Sequence, residues 1–113
     1  MHEMALAQAL VDQVIELAEK DGCHRILSVQ VSIGALSGVM RESLEFCFPV
    51  VARGTPLEGT VLNVTEVPLK AECRDCRHIS NPEPFEITCS HCGSMNLMLT
   101  EGRDFKLISL EVE

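Results

Sequence analysis

The sequence predicts an α+β protein: a small body of two helices and a three-stranded sheet, interrupted by a cysteine-rich insert. Three observations carry this. Apolar residues recur at helical spacing in two segments and at alternate positions in three others. After Pro68 the texture changes, and residues 70–102 hold four cysteines, two prolines and short polar turns but few core residues. Strand character then returns from Phe105 to Val112.

The first helix is expected over Met4 to Lys20, where Ala7, Leu10, Val14, Leu17 and Ala18 recur at three- and four-residue steps. Gly22 stands where a helix C-terminal glycine belongs. Leu27, Val29, Val31 and Ile33 alternate with polar residues and mark a half-buried strand, ended by Gly34 and Ser37-Gly38. Met40, Leu44, Cys47, Phe48 and Val51 give a second helix, with a kink or early end expected at Pro49. Gly54, Pro56 and Gly59 form a loop, and Thr60 to Val67 is a second strand stopped by Pro68. The last strand places Ile108, Leu110 and Val112 on one face. The organisation is therefore an αβαβ-type body of residues 1–68 and 103–113, with residues 69–102 inserted between its second and third strands. The insert cannot bury enough apolar surface to fold unaided and needs a staple.

Length and composition bound the function. A chain of 113 residues with 46% hydrophobic content suits one small core. It has no Trp or Tyr and four Phe, so that core is expected to use Leu, Val, Ile, Ala and Met. A formal net charge of −8 is a poor match to a phosphate backbone or an anionic membrane surface. It suits a cationic partner, either a metal ion or a basic protein. Glu3 and Asp12 occupy the stretch where a signal peptide would be basic and then apolar, and no run is long enough to span a membrane. The expectation is a cytoplasmic chain, in which structural disulfides are rare and six cysteines read first as metal ligands.

Four of those cysteines form two knuckles, Cys73-Arg-Asp-Cys76 and Cys89-Ser-His-Cys92, the second followed by Gly93, which suits a tight turn. Two Cys-x-x-Cys turns close a tetrahedron of thiolates, the geometry of a structural, zinc-ribbon-like Zn²⁺ site. Iron also accepts four sulfurs, but the aromatic packing expected around a redox centre is missing. Neither pair opens a helix, which argues against a thiol–disulfide motif. Four protein ligands leave no position for water, so zinc catalysis is disfavoured. Cys47 lies on an apolar stripe and reads as a small buried residue. For Cys23, beside a helix end, the sequence leaves exposure open.

The opening Met1-His2-Glu3 is a second candidate metal site. A free amine, backbone amides and the His2 imidazole form fused chelate rings, and nitrogen-rich planar sites suit Ni(II) and Cu(II). The Glu3 amide or carboxylate would complete the set. An exposed terminal histidine also needs no metal to account for it, and an acidic residue suits a helix N-terminus.

The opening Met1-His2-Glu3-Met4, the strand end Ile33-Gly34-Ala35-Leu36-Ser37, Ser43-Leu44-Glu45-Phe46-Cys47-Phe48, Gly59, the paired knuckles and the closing Ile108-Ser109-Leu110-Glu111-Val112-Glu113 together resemble the HypA/HybF family, in order over essentially the whole chain. The resemblance implies a nickel-delivery accessory protein of [NiFe]-hydrogenase maturation. It implies transferable nickel at His2 and Glu3, to which the chelate chemistry above adds the Met1 amine as a candidate donor, and structural zinc at Cys73, Cys76, Cys89 and Cys92. The implied partners are the GTPase HypB and the hydrogenase large-subunit precursor; nucleic acid and membrane are not expected, and the chain would be a monomer or weak homodimer. Some relatives carry histidines flanking both knuckles. Here His78 follows the first pair, but Gly93 follows the second and His91 lies inside it. His78 and His91 therefore read as solvated turn residues, and His24 as a helix-end or surface histidine.

Three function classes follow. One is the nickel metallochaperone. The alternative is a zinc-ribbon interaction or regulatory module without transferable metal. An enzyme is the weakest, because no nucleophile–base set, phosphate loop or open zinc site is present. Binding of a second metal by an unmodified N-terminus separates the first two.

Overall fold

The computed structural model describes residues 2–23 and 25–113. Met1 and His24, two of the residues singled out above, lie outside them. The chain forms α1 (Glu3–Lys20), β1 (Ile26–Gly34), α2 (Arg41–Ala52), β2 (Val61–Val67), β3 (Lys70–Cys73), β4 (Ile79–Ser80), β5 (Leu97–Glu101) and β6 (Phe105–Val112). Two three-stranded sheets result. The body sheet has the order β2-β1-β6, and the second sheet, within the insert, has the order β4-β3-β5. The α+β class, two helices and a three-stranded body sheet are as the sequence implied.

In the body, β1 pairs parallel with β2 across the α2 connection and antiparallel with β6. Both helices pack on one face. Ala7, Leu10, Val11, Val14 and Ala18 of α1 meet Val29, Val31 and Ile33 of β1 and Leu44, Cys47 and Phe48 of α2. Leu17, expected on that stripe, is exposed, and Val11 takes the buried position instead. Helix α1 ends in a Schellman turn, with Gly22 at φ 68 and Cys23 N–H donating to the Ala18 carbonyl at 2.9 Å.

Three expectations need correction. The second helix runs past Pro49 to Ala52. Pro49 lies on the solvent side, where the Glu45 carbonyl deprived of its donor can bond water. The last strand does not keep a single alternating face. Gln30 pairs with Ser109 but Val31 pairs with Leu107, so Ile108 is the extra residue of a bulge and is 58% exposed. The bulge turns Phe105, Leu107 and Leu110 to the core and leaves Val112 outside. Finally, methionine contributes nothing to the core among the described residues: Met4, Met40, Met95 and Met98 are all exposed.

Three backbones cross where the insert leaves the body. A Cβ on Gly34 would lie 2.4 Å from the Gly102 carbonyl carbon, and one on Gly102 would lie 2.7 Å from the Pro68 oxygen. Ala35 N–H bonds to Val67 O at 3.0 Å and Leu36 N–H to Gly102 O at 2.8 Å. The loop after β1 thus holds both connections to the insert.

Candidate metal centres

The two knuckles are built alike. In each, the first cysteine's N–H donates to the carbonyl five residues on: Cys73 to His78 at 2.9 Å and Cys89 to Ser94 at 2.7 Å. The residue after the second cysteine donates back to the first, Arg77 to Cys73 O and Gly93 to Cys89 O, both at 2.9 Å. That closure needs a left-handed residue, supplied by Gly93 at φ 77 and by Arg77 at φ 67. Sequence reading noticed the glycine and missed the arginine. The signal that could have found it is the pseudo-repeat of the knuckles, which aligns Arg77 with Gly93.

Each turn aims amides at its first sulfur. Cys76 N–H points to Cys73 Sγ at 3.5 Å, while His91 and Cys92 N–H point to Cys89 Sγ at 3.3 and 3.4 Å. Across the knuckles, Cys73 Sγ lies 3.6 Å from Cys92 Sγ, and Cys76 Sγ lies 3.6 Å from Cys89 Sγ. All four sulfurs fall within 4.8 Å of one another, the only such group of metal-ligating side chains found among the described residues. A metal–sulfur distance of about 2.3 Å gives a tetrahedral edge of about 3.8 Å, so the cage fits a Zn²⁺-sized ion on four thiolates.

Charge is shared unevenly within the cage. Cys89 is held down to about 6, first by the Cys92 backbone N–H, and Cys73 is lowered, first by that of Cys76. The His78 N–H lowers Cys76, but burial and the three other thiols push it up to about 12. Cys92 is raised too: the Ser94 N–H lowers it, but burial and the thiols of Cys73 and Cys89 outweigh that. Without metal, Cys89 and Cys73 give up their protons more readily than Cys76 and Cys92, because adjacent thiolates repel. Asp75, in the first knuckle, accepts hydrogen bonds from Ser94 and Asn96 beyond the second, and the Ser94 hydroxyl chiefly lowers its pKa. The His78 and His91 rings stack at 5.0 Å, exposed, beside the cage.

The N-terminal candidates sit where the two helices begin. Leu6 N–H donates to His2 O at 2.9 Å, so the amides of residues 2 and 3 lie ahead of the first described intrahelical donor. His2 is exposed at the mouth of an open groove of about 720 Å³ between the helices, which Glu3, Ser43 and Cys47 also line. Glu3 is 7% exposed, and its Oε2 accepts from Met40 N–H at 3.1 Å. Met40 caps α2 and has no side-chain hydrogen bond of its own. The Glu3 carboxylate thus stands at the N-termini of both helices, where two positive dipole ends meet it. Cys47 is buried, as expected, and Cys23 is half-buried.

A small α+β body carrying an open N-terminal imidazole, with a closed four-sulfur cage on a separate sheet, is the build of a metal-handling protein rather than of a catalyst. Comparison with known proteins makes the class specific. The family model for hydrogenase/urease nickel incorporation metallochaperones, HypA, matches residues 1–112, and the chain belongs to that family. It is 37% identical over 113 residues to the hydrogenase maturation factor HybF of Klebsiella pneumoniae, with all of both chains covered. It is 39% identical over 115 residues to the maturation factor HypA of Streptomyces avermitilis, covering 100% of this chain and 88% of that one. The solution structure of the Ni metallochaperone HypA from Helicobacter pylori superposes with a TM-score of 0.71 at 28% identity, covering 99% of this chain and 97% of that one. The protein is thus a nickel metallochaperone of hydrogenase maturation and not an enzyme.

Proposed function

We propose that the chain takes up Ni(II) at its N-terminus and delivers it to the maturing [NiFe]-hydrogenase, while a structural Zn²⁺ holds Cys73, Cys76, Cys89 and Cys92. The observation that carries the nickel half is the setting of His2: exposed, at the head of α1, beside amides not engaged in the helix ladder described. An open site with one imidazole and backbone nitrogens can load a planar Ni(II) ion and release it without unfolding anything.

Glu3 is the second nickel residue, and its two parts have different tasks. The carboxylate is committed to Met40 N–H and to two helix ends. It therefore acts mainly as the tether that holds residues 2 and 3 against α2, and the backbone amide is the better nickel donor. The Met1 amine is a further donor in this reading. For the zinc half, the sulfur spacing fits the ion, and four ligands leave it closed and structural.

The division into a nickel-binding body, residues 1–68 and 103–113, and a zinc domain, residues 69–102, belongs to the same proposal. A radius of gyration of 17.5 Å supports it, because a compact chain of this length has about 13 Å. The partners proposed are the GTPase HypB and the hydrogenase large-subunit precursor, met in the cytoplasm; among the described residues no helix is long and apolar enough to cross a membrane.

Isothermal titration of zinc-loaded protein with an unmodified Met1 terminus tests the nickel site. One Ni(II) per chain is expected, lost in His2→Ala with zinc content and fold intact. Glu3→Gln keeps both the amide and an acceptor for Met40 N–H, so its nickel binding should survive. Unchanged stoichiometry and affinity in His2→Ala would rule the site out.

A further inference from the structure

The insert carries an apolar groove that neither metal site uses. Ile87 and Pro84 line it from the loop after β4, Met95 from the approach to β5, Leu97 from β5 itself, and Leu69 and the body's Leu36 complete the lining; its volume is about 270 Å³. That is below the usual size of a small-molecule pocket and suits a single inserted side chain. The rim is bare. Ile87 is 64% exposed and Met95 72%, and Phe85, which follows Pro84 in the chain, is 80% exposed. The loop presenting them is a built turn: Glu86 N–H bonds to Glu83 O at 2.9 Å, Glu83 N–H to Glu86 Oε1 at 3.3 Å, and Asn81 Nδ2 anchors the loop to Leu69 O at 2.9 Å. Exposed apolar side chains beside a groove, held by a hydrogen-bonded loop, mark an interaction site.

The surrounding charge selects the occupant. The insert is net acidic, and its three cations, Lys70, Arg74 and Arg77, all precede residue 78, so Glu83, Glu86 and Glu101 are the charged side chains of residues 78–102. A divalent ion on four thiolates adds about two more negative charges to the same module. This field repels nucleic acid, anionic lipid and the same face of a second copy, and it attracts cations. We propose that the groove docks a basic segment of a partner protein, which inserts one aliphatic or aromatic side chain between Ile87 and Met95 while its Lys or Arg residues meet Glu83 and Glu86. Binding there would grip Leu36, and with it the loop that holds both connections to the body.

Selection from a random twelve-residue peptide display library on the zinc-loaded full chain, without nickel, tests this. The selected peptides should share an apolar anchor flanked by Lys or Arg. Their affinity should fall at least tenfold on Ile87→Ser with Met95→Ser, and should fall and lose salt dependence on Glu83→Gln with Glu86→Gln. Co(II) absorption of each variant checks that the cage is intact. Peptides without basic residues, or peptides that bind the Ile87/Met95 variant as tightly as the parent, overturn the proposal, as does a selection that yields no consensus. Because nickel is absent throughout, the result is independent of the N-terminal site.

Discussion

In the body, Val11, Val14, Val29, Leu44 and Phe48 are sealed from water in one continuous core between two helices and a sheet. In the insert, the buried apolar positions among the described residues are Leu69, Ala71, Cys73 and Cys89, and two of these four are cage cysteines. The body therefore owes its stability to apolar burial, which is spread over many contacts and is lost in increments. In the proposed zinc-bound form the module concentrates its stability in the bonds to one ion, which are lost together. The same difference separates the two proposed metal sites: the four sulfurs form a closed cage, whereas His2 is exposed at the head of α1.

The largest expected effect breaks the module alone. Cys92→Ala should abolish stoichiometric zinc and make residues 70–102 sensitive to protease, since a structural zinc site contributes on the order of 10 kcal/mol to folding. The helices of the body should persist by circular dichroism. Full zinc occupancy and an unchanged digestion pattern would mean that the module holds itself together.

The converse variant is Phe48→Ala, which empties the largest sealed position of the body core. It should cost about 3–5 kcal/mol in urea unfolding while the cage still binds zinc. Gly34→Ala strikes the joint, because its Cβ would meet the Gly102 backbone at 2.4 Å. A loss of about 3 kcal/mol is expected, with both sheets affected, as backbone rather than a flexible side chain must move.

Acid should act on the module through its sulfurs. Zinc requires four thiolates, so loading at neutral pH displaces protons from the raised thiols, Cys76 at about 12 and Cys92. Below about 6, Cys89 also holds a proton, so zinc affinity should fall more steeply there than above it. Chelator competition between pH 5 and 8 measures the slope, and a slope that does not change with pH would contradict the uneven sharing of charge. The smallest effect is a gain. Arg77→Gly places the residue that φ 67 favours at the first knuckle and should stabilise the zinc-loaded module by about 1 kcal/mol.

Much of this was legible in the chain. The 3.6-residue and two-residue periods marked both helices and the body strands, because burial on one face imposes those periods wherever an element is amphipathic. The knuckle spacing marked the cage, because metal geometry leaves few ways to arrange four thiolates on short turns. Ile108 escaped, because a bulge shifts the period by one residue and only the partner strand shows where. Pro49 did not bring the early end, because it lies on the solvent side, where water can replace the donor lost to the Glu45 carbonyl.

By itself the sequence determined the two helices, the body strands and the spacing of the knuckle cysteines, since these follow from local pattern, while the insert strands β3, β4 and β5 went unmarked. Tertiary structure alone decided what Glu3 does. Its carboxylate accepts from Met40 N–H, 37 residues away, brought to it by the packing of α1 on α2. It also decided that Gly34 and Gly102 touch and that Leu36 reaches the groove of the insert. Such contacts depend on how separate elements approach one another, and no local pattern in the chain encodes that approach.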